Sequence, residues 1–115
     1  MRLYRAGRLP WVEGKGYCKR VLVSDGELGD AGTLLQEVKF FPGQSVPFHY
    51  HKRTKEVFIA LDPSTFKVNN EVVSMESNDV LICEPGDVHG NPIVENPFRI
   101  LVIKLDFDPD DTVWL

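Results

Sequence analysis

Apolar and polar residues alternate along most of this chain in short runs, each closed by Gly, Pro, Asn or Asp. Segments 19–24, 33–41, 49–51, 56–61, 65–68, 71–74, 79–83, 89–94 and 98–107 read as strands on that pattern. Asn69-Asn70 and Pro85-Gly86 mark turns between them. No stretch repeats apolar residues at helical spacing for more than a turn. Residues 1–17, rich in Arg, Gly, Pro and aromatic side chains, read as an N-terminal arm with one short strand. Short strands at nearly regular intervals predict an all-β sandwich or barrel, and 115 residues give room for one domain spanning 1–115.

Side chains on a strand alternate faces, so the period also predicts a lining. In 33–41 the more apolar set is Leu34, Gln36, Val38 and Phe40, which is assigned to the interior. Gln36 is then a polar group in an apolar row, either a satisfied core amide or a hydrogen-bonding partner for a ligand. Glu56, Phe58 and Ala60 share a face, as do His89, Asn91 and Ile93. The inferred cavity is largely apolar with a few polar groups, as small-molecule sites are. Gln36, Phe40, Phe58 and Asn91 are its candidate lining residues.

All three histidines of the chain, His49, His51 and His89, fall within two short segments. On a strand, His49 and His51 project from one face with Cα atoms ~6–7 Å apart, close enough for two imidazoles to lean onto one ion. Glu56 opens the next apolar run, and His89 follows a Pro-Gly turn. Three neutral imidazoles and a carboxylate suit a divalent first-row metal such as Mn, Fe, Ni, Cu or Zn. A His-x-His pair alone is weak evidence. A third histidine at a turn, with none spent elsewhere, makes the metal reading the stronger one.

These residues resemble the cupins. That family carries a first motif G-x5-H-x-H-x4-E-x6-G and a second, G-x5-P-x-G-x2-H-x3-N. Gly43, His49, His51 and Glu56 stand in register with the first, within 43–63, and Gly86 and His89 with the second, within 78–93. Pro63 replaces the closing glycine of the first motif, Asn78 the opening glycine of the second, and Ile93 its closing asparagine; Pro85 sits one place late. Pro after Asp62 still favours a turn, and Asn tolerates the left-handed conformation. The resemblance implies a jelly-roll (double-stranded β-helix) cupin barrel, a homodimer, and metal ligation by His49, His51, Glu56 and His89. Its members include dioxygenases, decarboxylases, sugar-phosphate isomerases and epimerases, and plain ligand-binding modules; fold does not choose among these.

Thirteen basic against seventeen acidic residues, a net charge of −4, offer no electrostatic case for nucleic acid. The one basic cluster, Lys52-Arg53-Thr54-Lys55, reads as a solvated hairpin loop, or else as a device steering an anionic substrate to the metal. Two cysteines, Cys18 and Cys83, make no disulfide framework and fit a reducing compartment; Cys83, in an apolar run, reads as a small buried hydrophobe. Neither a signal peptide nor a run able to cross a bilayer is evident, so the cytoplasm is expected and no membrane partner is. Trp11 and Trp114, in the arm and the tail, would pack on a neighbouring subunit or fold back onto their own barrel. With no histidine left for a nucleophile–base pair, two functions follow: a metal-dependent enzyme on a small oxygenated molecule, or a non-catalytic binding or sensor domain using the same cavity.

Overall fold

The computed structural model describes residues 1–115 and holds eleven strands and one turn of 3₁₀ helix, Ala6–Arg8. The strands are β1 (Val12–Glu13), β2 (Cys18–Val23), β3 (Leu34–Phe40), β4 (His49–His51), β5 (Lys55–Ala60), β6 (Ser64–Val68), β7 (Glu71–Met75), β8 (Val80–Cys83), β9 (His89–Gly90), β10 (Phe98–Leu105) and β11 (Thr112–Trp114). Six form one sheet in the order β1-β2-β3-β10-β5-β8, and five the other, β11-β4-β9-β6-β7. Every pair is antiparallel. Two such sheets face to face are the predicted jelly roll, and no helix is long and apolar enough to cross a membrane.

The turns follow from their residues. Asn69 and Asn70 both adopt positive φ, 48° and 67°, as the tight two-residue link between β6 and β7 requires. Pro42-Gly43 and Pro85-Gly86 each occupy the middle of a four-residue turn, closed by Gln44 N–H to Phe41 O and Asp87 N–H to Glu84 O. Gly43 and Gly86 take φ of 87° and 90°, the left-handed setting a type II turn needs at its third residue. Asn78 adopts φ 74° in the same role, so its replacement of a glycine is conformationally sound.

The predicted hairpin between 49–51 and 56–61 does not form. β4 and β5 lie in different sheets, and the chain crosses between them at Lys52-Arg53-Thr54. The cause is Asp111, whose carboxylate accepts the backbone N–H groups of Lys52, Arg53 and Thr54 at 2.9, 2.8 and 2.7 Å. Thr54 is consequently buried, not solvated. Arg53 pairs with Asp106 and Asp108, and Lys55 with Glu84, so two of the three basic residues of this tract have acidic partners close by. A second departure is Glu37, on the outward face of β3 yet buried. Arg20 and Arg99, from the strands on either side, clamp its carboxylate at 2.7 and 3.3 Å.

Alternation fills the space between the sheets as expected. Phe40, Phe58, Phe66 and Phe98 form an aromatic cluster, with Phe40 stacked on Phe98 at 4.5 Å between ring centres. Each buried ring of this kind contributes roughly 1.5–3 kcal/mol by leaving water. Cys83 is 1% exposed and unpaired, a packed hydrophobe. Along β10 the inner positions Phe98, Ile100, Val102 and Lys104 run from the packed end to a cavity. Trp11 folds back under Arg20 and Lys39, 4.3 and 4.6 Å from its ring centre.

Candidate metal centre and its cavity

Three strands bring the four predicted ligands together. His49 and His51 both point inward from β4, and β9 places His89 directly opposite His49. Glu56 enters from β5, in the other sheet. All four are buried, and their ligand atoms lie within 4.8 Å of one another. The turn at Pro85-Gly86 is fastened to β4 through Gly86 N–H to His51 O at 2.8 Å, which sets the height at which His89 arrives. Asn69 adds a second fastening, donating to Asp87 Oδ1 and accepting from Val88 N–H.

Each imidazole is held by its outer nitrogen. His49 Nδ1 donates to Pro47 O at 2.8 Å and His89 Nδ1 to Asp87 O at 2.9 Å, roles fixed because a carbonyl can only accept. His51 Nδ1 meets Thr112 Oγ1 at 3.3 Å. All three Nε2 atoms are therefore left for the interior, the arrangement by which outer partners orient histidine ligands. Glu56 Oε1 receives His89 Nε2 at 3.1 Å. His51 Nε2 is 2.7 Å from the same oxygen but in poor alignment, and this buried nitrogen has no hydrogen-bond partner. An orphaned buried nitrogen costs about 1–3 kcal/mol, and a cation among these four atoms would satisfy it. The donor set, two or three imidazole nitrogens with a carboxylate oxygen, fits a divalent transition ion.

The protonation pattern points the same way. Burial holds His49 neutral, its pKa lowered to about 4 against the weaker pull of Pro47 O and Glu56. Burial opposes ionisation of Glu56, but the His51 and His89 imidazoles set against its carboxylate outweigh it and keep the carboxyl far below its usual range. For His89 burial again works against charge, and the Glu56 hydrogen bond reverses it, so its pKa is raised. In the metal-free cluster His89 therefore takes up a proton more readily than His49 does.

The cavity behind the cluster measures about 100 Å³ and admits only a compact molecule. Gln36, Phe40, Phe58 and Asn91 all line it. Asn91 is nevertheless committed to the fold: its Oδ1 accepts Val46 N–H and its Nδ2 donates to Pro92 O. Ile93 does not share the face of His89, being 69% exposed. The strand expected over 89–94 stops at Gly90, since Pro92 has no N–H to continue a ladder. Among the lining residues that sequence reasoning missed are four with polar or aromatic side chains, Tyr17, Lys104, Thr112 and Trp114. Thr112 and Trp114 arrive on β11, which pairs with β4 so that Thr112 faces His51 and Trp114 faces His49. The Trp114 ring lies 4.6 Å from that of His49, and Lys15 covers it at 4.3 Å. Lys104 could have been found from the inner-face period of β10, continued past its apolar residues.

A two-sheet antiparallel barrel with three histidines and a glutamate converging inside it defines the class: the chain has the cupin fold. No family model and no curated protein matches the sequence. Solved structures share its fold. A predicted oxalate decarboxylase from Thermotoga maritima superposes with a TM-score of 0.79 at 18% identity, over 90% of this chain and 98% of that one. A cupin-like protein from the same organism gives 0.72 at 20%, over 86% and 75%. Streptomyces Pac13 with uridine gives 0.78 at 14%, over 100% and 91%; Pac13 is described as a nucleoside dehydratase.

Proposed function

We propose that His49, His51, Glu56 and His89 hold one divalent transition metal, from among Mn, Fe, Ni, Cu and Zn, and that the protein is an enzyme acting on a small oxygenated molecule in the cavity beside it. The observation that carries this reading is the pre-set cluster: four ligand atoms within 4.8 Å, with the Nδ1 of every histidine tied off and Nε2 left inward. A bound divalent ion supplies Lewis acidity, polarising a carbonyl or hydroxyl oxygen. The chain's own groups position the substrate: Phe40, Phe58 and Val102 offer an apolar wall, and Gln36, Tyr17 and Lys104 offer polar contacts. The names of fold neighbours, a nucleoside dehydratase and a predicted oxalate decarboxylase, favour small-molecule chemistry.

Elemental analysis of protein purified without chelator or affinity metal is the test. About one equivalent of a divalent metal per chain is expected, with His51→Ala losing it. Failure to retain or take up any divalent ion would overturn the reading. A non-catalytic binding role is favoured by one observation, the commitment of Asn91 to the backbone; metal-dependent turnover of any compound would exclude it. The exposed apolar residues Val80 and Ile82, on the edge strand β8, support a homodimer. A monomeric mass by light scattering at micromolar concentration would exclude that.

A further inference from the structure

Lys104 is the least expected group in the cavity. It occupies an inner position on β10, opposite Glu56 on one side and Leu34 on the other. Lys104 is half-buried, and even partial loss of water costs an ammonium unless it is paired. None of the ion pairs in the protein includes it. Its recorded partner is the Phe107 ring, 5.0 Å from Nζ. Glu56 is near enough to act on Lys104 through its charge, yet that carboxylate is engaged by His51 and His89.

Gln36 makes the second observation. It sits on β3 opposite Val102, one inner position along from Lys104. It is 5% exposed, lines the cavity, and none of the protein's hydrogen bonds uses its carboxamide. Its polar atoms are not among those sealed in the core without a partner, so they open onto the cavity and their partner is to be sought there. Charge completes the case. Glu56 and Lys104 cancel, so a divalent ion in the cluster would leave the cavity with two uncompensated positive charges. Buried charge of that kind calls for an anion.

We propose that the cavity receives a compact carboxylic acid, its carboxylate held by Lys104 Nζ with the Gln36 carboxamide beside it, its carbon skeleton against Phe58 and Val102, and its other oxygen toward the histidine–glutamate cluster. The last element and the charge argument rest on the metal-binding reading; the pairing of a carboxylate with Lys104 and Gln36 does not. Lys104 and Gln36 are substrate-positioning residues in this scheme.

The test follows Trp fluorescence, since Trp114 lines the cavity. Metal-free and Zn²⁺-loaded protein are titrated with pyruvate and lactate, and with their neutral amides. The acids are expected to bind about tenfold or more tighter than the amides, the scale of one charge-assisted contact. Lys104→Met abolishes that preference, Lys104→Arg keeps it, and Gln36→Leu weakens acid binding about threefold to tenfold without removing the preference. Thermal melts confirm that each variant is folded. Amides binding as tightly as acids, a preference that survives Lys104→Met, or no binding of any of the four at millimolar concentration overturns the proposal. A Lys104-dependent preference in protein that takes up no zinc strikes the metal reading and leaves the carboxylate site standing. Zinc uptake without any preference does the reverse.

Discussion

Replacing Thr112 by valine isolates the part of the proposed metal centre that the C-terminal strand supplies. Valine is close to isosteric and suits a strand, so β11 keeps its pairing with β4. What is lost is the oxygen 3.3 Å from His51 Nδ1. At that length the bond is at the weak end of its class, so its net value is taken as about 1 kcal/mol. His51 then loses the contact that holds its ring with Nε2 inward, and partners of this kind usually change metal affinity 10–100-fold. The weak bond places Thr112→Val at the low end, about fivefold to tenfold, since each 1.4 kcal/mol is tenfold. Competition titration of Zn²⁺ against a chromogenic chelator measures it, with metal-free thermal melts as control. Thr112→Ser, which restores the hydroxyl, should recover most of the affinity. The reasoning is refuted if the valine variant binds zinc within twofold of the parent, or if serine loses as much as valine.

Three further outcomes follow from the same geometry. In the metal-free protein, NMR titration should find His49 neutral down to about pH 4 and His89 still protonated above 6.5. The unfolded chain then binds more protons than the folded one at His49, which costs stability as pH falls from 6.5 towards 4; the contribution of His89 is full below 6.5 and fades as pH rises through its folded value. Equal midpoints for the two rings would contradict this. Asp111 is held at about 2, burial being outweighed by the N–H groups of Thr54, Arg53 and Lys52, so its stabilisation is present above 3.8 and lost as pH falls towards 2. Asp111→Asn should melt below the parent at neutral pH, with the gap closing between pH 4 and 2; a gap constant across that range counts against the account. Burial pushes the Cys83 thiol up to about 12, with Glu56 and Asp87 adding to the effect. A thiol reagent at pH 8 should therefore modify half-buried Cys18 in the native protein and reach Cys83 only on unfolding, and rapid native labelling of Cys83 would refute its burial.

The sequence is most informative where a local rule decides position. Period two put Leu34, Gln36, Val38 and Phe40 on the inner face, and all four are buried. The Asn69-Asn70 turn and the left-handed Asn78 follow from residue chemistry alone. The four candidate ligands were legible because histidine is scarce here and its spacing matches strand geometry. Glu37 misled the alternation because its burial comes from Arg20 and Arg99, on strands far away in the chain. The hairpin expected after His51 failed for the same kind of reason, a carboxylate from residue 111 capturing the turn.

Three of the residues missed around the cavity share a cause of their own. Tyr17 comes from the arm and Thr112 and Trp114 from a three-residue strand, segments too short for any period to register. Their placement is set by partners: β11 exists because β4 offers a free edge, and its register puts a hydroxyl on one imidazole and an indole on the other. Asp111, one residue before β11, simultaneously fixes the crossover that aims Glu56 from the opposite sheet. The tail therefore braces both halves of the histidine–glutamate cluster at once. Loss of residues 111–115 should cost metal affinity more than Thr112→Val does, because it frees the β4 edge and the β4–β5 crossover together.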